Sequence, residues 1–97
     1  MAATVHVIAR YVAKAGQEES VKKALMGLIA PSRREIGCYQ YDLLENPADP
    51  RDFCFVERWD RDTALDRHTE TGHVKGAIAQ VEGLLDAPPD IRRYHVL

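Results

Sequence analysis

Only two cysteines occur, Cys38 and Cys54, and neither stands in a spacing that would tie a disulfide scaffold or a zinc centre. Both are expected as reduced thiols that behave as small hydrophobes. Charge of one sign is also missing: 13 Lys and Arg face 15 Asp and Glu, for a net charge of -2, with no basic block and no acidic tail. Such a balance gives no field for a phosphate backbone or an anionic bilayer, so neither nucleic acid nor membrane is the expected partner. Long apolar runs are lacking, as is a charged start followed by an apolar stretch, and the cytoplasm is the expected location. G-x-G-x-x-G, a P-loop, G-x-S-x-G and C-x-x-C are all absent, which removes the common nucleotide, hydrolase and dithiol motifs. His68 and His73 straddle Gly72, but no third ligand is evident in the sequence, so no metal centre is predicted.

What is present fits one domain. The 97 residues match the lower end of the usual range of roughly 100 to 150, and a chain this short buries only about 60 to 65% of its unfolded surface, so association with a second copy would add stability. From Val5 to Val12 the pattern has period two, which predicts a strand; Ile8 and Val12 give its second face apolar character as well. Val21, Ala24, Leu25, Leu28 and Ile29 fall on one helical stripe. Glu18 and Glu19 suit its positive end and have Lys22 and Lys23 four residues on. Pro31 should kink or end this helix, with Arg33 and Arg34 near its end and Gly37 as the stop.

Two strands, Cys38 to Glu45 and Phe53 to Trp59, flank the turn-rich Asn46-Pro47-Ala48-Asp49-Pro50 and predict a hairpin. A midpoint near Asp49 sets Tyr41 opposite Glu57 and Tyr39 opposite Trp59. Asp60 or Asp62 can cap a short helix over Asp62 to Thr69. A longer one follows Gly72, with Val74, Ala77, Ile78, Val81, Leu84 and Leu85 on its apolar side. After Pro88-Pro89, Ile91 to Val96 reads as a last strand. The order β-α-β-β-α-β predicts an α+β, ferredoxin-like split βαβ fold, with a four-stranded antiparallel sheet and helices on one face. The other face, with some of Ile8, Val12, Leu44, Cys54, Val56 and Val96, needs a cover that a second copy supplies by two-fold symmetry.

Glu57 and Trp59 share a strand face, and His68 lies on the side of its helix that carries Ala64 and Leu65. Carboxylate, indole and imidazole can then line one pocket of the kind that orients a small aromatic molecule. The plain alternative is a core role, for an inward histidine and a large indole alike. Glu57 is the sharper signal, because a carboxylate on an apolar face is costly without a partner, and Tyr41 or His68 is the expected one. His6 and His95 are expected on terminal strands, partly solvated or at a dimer contact, and Ser32 is expected in helix-end hydrogen bonding.

Three segments together carry a family likeness. Ser32-Arg33-Arg34-Glu35-Ile36-Gly37-Cys38-Tyr39-Gln40-Tyr41, then Glu57-Arg58-Trp59, then Ala64-Leu65-Asp66-Arg67-His68 with Gly72-His73-Val74 resemble successive signatures of the antibiotic biosynthesis monooxygenase domain. The resemblance spans nearly the whole chain and implies a dimeric α+β barrel with a pocket between sheet and helices in each subunit. It further implies oxygenation of quinols or phenolic polyketides by O2 with no metal, flavin or haem. Carried over by position, it makes His68, Glu57 and Trp59 the catalytic candidates and Tyr41 and His73 the pocket residues behind them. At the position of the iron-binding histidine of the haem-degrading branch stands Ile78, which argues against haem. Two rival readings are a dimer that binds a small hydrophobe without turnover, or in a stress response, and an isomerase of a sugar-derived ligand that uses His68 as acid and base.

Overall fold

The structure, a computed structural model, describes residues 3–97. The chain runs β1 (Val5–Val12), α1 (Glu18–Met26), α2 (Ile29–Arg33), β2 (Cys38–Glu45), β3 (Asp52–Trp59), α3 (Asp62–Thr69), α4 (Gly72–Val81) and β4 (Asp90–Tyr94). The strands form one antiparallel sheet in the order β2-β3-β1-β4, so the split βαβ arrangement follows as the sequence pattern predicts.

Alternation sorts the two faces. Val5, Val7, Ala9 and Tyr11 of β1 and Phe53, Phe55, Glu57 and Trp59 of β3 are buried, and their alternates are not. Val21, Ala24, Leu25 and Leu28 from the first helical region and Ala64, Leu65, Val74, Ala77 and Val81 from the second close the core above that face. Polar ties fix the helices in place. The Arg33 side chain donates to the Tyr41 carbonyl at 3.1 Å and to Asp42 at 3.0 Å, joining α2 to β2. Arg93 of β4 reaches Asp62 and Asp66 of α3 at 3.1 and 2.7 Å. On the opposite face no element of this chain, among the described residues, covers Ile8 and Leu44, which are 38% and 50% exposed, and Val12, Cys54 and Val56 are half-buried. Cys38 and Cys54 are free thiols. No helix among the described residues is long and apolar enough to cross a membrane.

Several local expectations are corrected. Tyr41 faces Glu57 as predicted, but Trp59 pairs with Cys38 rather than Tyr39, because a bulge between Cys38 and Gln40 inserts one residue into β2. Tyr39 is thereby turned outward, where its hydroxyl meets Asp60 at 3.3 Å and its ring lies 5.6 Å from the Arg58 guanidinium. The first helical stripe is two helices, broken after Gly27, and Pro31 sits in the first turn of α2, where its missing N–H is harmless. Neither Asp60 nor Asp62 caps α3: its N-cap is Arg61, in extended conformation and without a side-chain bond, and Asp62 lies in the first turn. Leu84 and Leu85 fall beyond α4, which stops at Val81 ahead of Gly83 at φ 79. Leu85 instead bridges Ala13 beside the end of β1. Strand β3 begins one residue earlier than predicted, at Asp52. β4 is Asp90–Tyr94, so His95 and Val96 lie past it and Val96 does not join the uncovered face. His95 is exposed, whereas His6 is half-buried on β1.

Gly37 shapes the turn into β2. It has φ +88, and a Cβ built there would come within 2.9 Å of Ala64 Cβ and 3.3 Å of Asp60 Cβ. Its carbonyl accepts the Asp60 N–H at 2.7 Å, which locks the start of β2 to the end of β3. Gly37→Ala combines a left-handed backbone with a steric overlap, and a loss of about 2 kcal/mol or more is expected by urea unfolding. Gly16→Ala, at φ +84 but with open space around the added carbon, should cost less, and the difference isolates the overlap.

Candidate active site

The inner ends of β2 and β3 present three large side chains to the helices. Trp59 is fully buried, and its Nε1–H donates to Glu57 Oε1 at 2.9 Å along the same strand face. The tryptophan is therefore the partner that Glu57 requires, in place of the expected Tyr41 or His68. Burial pushes the Glu57 carboxyl up from 4.5 to about 7; the Trp59 N–H opposes the rise, and the negative charge of Glu35 adds to it. Tyr41 lies across the strand pair, edge-on to Trp59 with ring centres 6.4 Å apart and 4.8 Å from Phe55. Its hydroxyl is held far above the ordinary range, first by burial and then by the charge of Glu57.

Helix α3 supplies the next group. Ala64, Leu65 and His68 form its buried stripe, and the His68 ring stands 4.7 Å from Trp59 and 5.3 Å from Tyr41, centre to centre. His68 Nδ1 lies 2.6 Å from Glu35 Oε2, and His73 Nε2, from the first turn of α4, lies 2.7 Å from the same oxygen. Thr71 fixes the spacing between the two histidines: as N-cap of α4 it accepts the Val74 N–H at 3.4 Å and donates its hydroxyl to the His68 carbonyl at 2.8 Å. A carboxylate only accepts, so both facing ring nitrogens carry hydrogen, and a neutral His68 then has its lone pair on Nε2. Burial favours that neutral ring and lowers the His68 pKa, against the opposing pull of Glu35. The result is a buried imidazole held by a carboxylate on one nitrogen, with the other free to accept a proton.

His68, Glu57, Trp59 and Tyr41 thus meet in one cluster, and His73 joins it through Glu35. Glu35 itself is absent from the sequence-based candidates. It sits in the turn between α2 and β2, where an acidic residue reads as solvated, and only the reversal at Gly37 brings it over α3. It also supplies the third acidic or imidazole group that the His68 and His73 spacing lacked. A cavity of about 620 Å³ lies elsewhere, lined by Tyr11, Ile78, Val81, Leu85, Pro88 and Pro89. The aromatic row Tyr11, Phe55, Tyr41 runs between the two places, with successive ring centres 6.0 and 4.8 Å apart. The polar groups around the cavity, Lys14, Glu82 and Asp86, are solvated surface charges.

A four-stranded antiparallel sheet of order β2-β3-β1-β4 with its helices on one face defines the ferredoxin-like class of α+β proteins. Within that class the model of the antibiotic biosynthesis monooxygenase family matches residues 4–80, and the chain belongs to this family. It is 38% identical over 77 residues to the protein named "Putative monooxygenase YcnE" of Bacillus subtilis (strain 168), covering 79% of this chain and 80% of the other. To "Putative monooxygenase Rv0793" of Mycobacterium tuberculosis it is 36% identical over 88 residues, covering 91% and 86%. Among solved structures, PA3566 from Pseudomonas aeruginosa superposes with a TM-score of 0.93 at 36% identity, covering 100% of this chain and 97% of that one.

Because Glu57 holds its proton more tightly folded than unfolded, its stabilising contribution is complete below pH 4.5 and is lost as the pH rises through about 7. Glu57→Gln keeps the acceptor for Trp59 and removes that dependence. The stability difference between the variant and the native chain should move in the variant's favour by roughly 3 kcal/mol across this window. Urea unfolding at several pH values reads it, and a constant difference would show that Glu57 stays ionised.

Proposed function

We propose that the chain is a monooxygenase of a quinol or similar phenolic molecule, that it uses O2 without flavin, haem or metal in the reaction, and that it works as a homodimer in the cytoplasm. The observation that carries this reading is His68: a buried, neutral imidazole pinned at Nδ1 by Glu35, with Nε2 as the free acceptor beside Trp59 and Tyr41. Family membership supports the reaction class.

His68 Nε2 takes the proton of a substrate hydroxyl. The phenolate that forms is electron-rich enough to pass one electron to O2, and the radical pair combines at a ring carbon. One oxygen atom then stays on the ring in place of hydrogen, and the O–O bond breaks with release of the other as water. For a hydroquinone the balance is hydroquinone plus O2 to hydroxyquinone plus water, with the substrate giving all four electrons. Glu35 positions the base and stabilises the imidazolium as it forms. Protonated Glu57 is a hydrogen-bond donor to a substrate oxygen, and Trp59 and Tyr41 are the aromatic wall. The uncovered face with Ile8, Leu44 and Val56 is the surface for a second copy.

His68→Ala should lower oxygen uptake with hydroquinones by about 10²-fold or more while far-UV circular dichroism stays unchanged, the usual scale for a lost general base. Uptake at the native level would remove His68 from the reaction; a hydrophobe bound in the cavity near Pro88 without turnover would favour a carrier instead. Native activity should survive chelation and gain nothing from added flavin.

Light scattering tests the assembly separately and should give twice the 10.9 kDa chain mass. Replacing both Ile8 and Leu44 with Lys should shift it to the monomer.

A further inference from the structure

We propose that Glu35, His68 and His73 form a divalent transition-metal site, holding an ion such as Zn2+ through the Glu35 carboxylate, His68 Nδ1 and His73 Nε2. The three side chains come from a turn, from α3 and from α4, and their ligand atoms all lie within 4.8 Å of one another. Around an ion with bonds of about 2.0–2.2 Å, neighbouring ligand atoms stand roughly 3.0–3.5 Å apart. The present contacts of 2.6 and 2.7 Å must therefore open by about half an ångström. The carboxylate is the group able to give, since it ends a flexible side chain, whereas Thr71 ties the backbone around both histidines.

The donor set selects the ion. Two imidazoles and one carboxylate without a thiolate suit Zn2+, Co2+ or Fe2+ better than Mg2+ or Ca2+, which ask for oxygen, or Cu+, which asks for sulfur. Access is open on the α4 side, where the His73 side chain is 26% exposed and borders a cavity of about 230 Å³ with Gly76 and Gln80. Three protein ligands leave a coordination position for water.

Occupation would change the chemistry of His68. A metal on Nδ1 drives the ring hydrogen to Nε2, which turns the free acceptor into a donor. Zn2+ should accordingly inhibit the oxygenation; this consequence rests on the function proposed above, whereas the site itself does not.

Metal-free protein is titrated with Zn2+ by calorimetry, and with Co2+ by visible absorption, which reports the ligand geometry. One Zn2+ per chain is expected. Affinity should fall by about 100-fold or more in Glu35→Gln and in His73→Ala, beyond the roughly 10–100-fold that loss of an outer partner costs. The double variant His6→Ala, His95→Ala should bind as the native chain does. Because His73 is partly exposed, its variant remains informative if Glu35→Gln fails to fold. Absence of binding, or binding equally strong without His73, would overturn the site. No turnover is measured in these titrations, so a failure of the oxygenase reading leaves them unaffected.

Discussion

Glu35 Oε2 lies between His68 Nδ1 and His73 Nε2, and the arrangement of the site depends on this shared acceptor. Without it the buried His68 would have a ring N–H lacking a partner, at a cost comparable to that of any buried polar group, and the partly exposed His73 would lose its tie to the turn. One carboxylate satisfies both. It sets their tautomers and joins the turn before β2 to α3 and α4. Gly37 makes this possible, because only a residue tolerant of positive φ reverses the chain there while leaving room for Ala64 and Asp60.

Glu57 is solved differently. It shares the covered face with Phe53, Phe55 and Trp59 and has a single neutral donor, the indole N–H, two residues away. A neutral partner offsets little of the desolvation of a charge, so the carboxyl retains its proton to near neutrality. Two glutamates thus sit close together with different partners. Glu35 accepts from two rings, and Glu57 accepts from one indole N–H.

The two faces of the sheet differ in what they carry. Its covered face holds the polar cluster and the aromatic row, and its other face keeps apolar side chains in contact with solvent within the single chain. In a chain of 97 residues one layer of helices cannot cover both faces. The short helices α2 and α3 suit the site end of the sheet: held by Arg33 and Arg93, they place Glu35 and His68 above β2 and β3.

Period two in β1 and β3 and the helical stripes, all of them properties of nearest neighbours along the chain, determined the element order, the covered face, the presence of Glu57 and Trp59 on it and the inward side of α3 that carries His68. The hairpin alone determined that Tyr41 faces Glu57. Tertiary structure decided what depends on contacts distant in sequence. The bulge that turned Tyr39 outward reflects a close approach of Gly37 to Asp60, and α4 ended before Leu84 because Gly83 turned the chain toward Ala13. Glu35 is the clearest case. It stands 33 residues from His68 and 38 from His73, and no periodicity relates positions so far apart; only the folded sheet, with α2 and α3 laid over it, brings one carboxylate oxygen within hydrogen-bond distance of both rings.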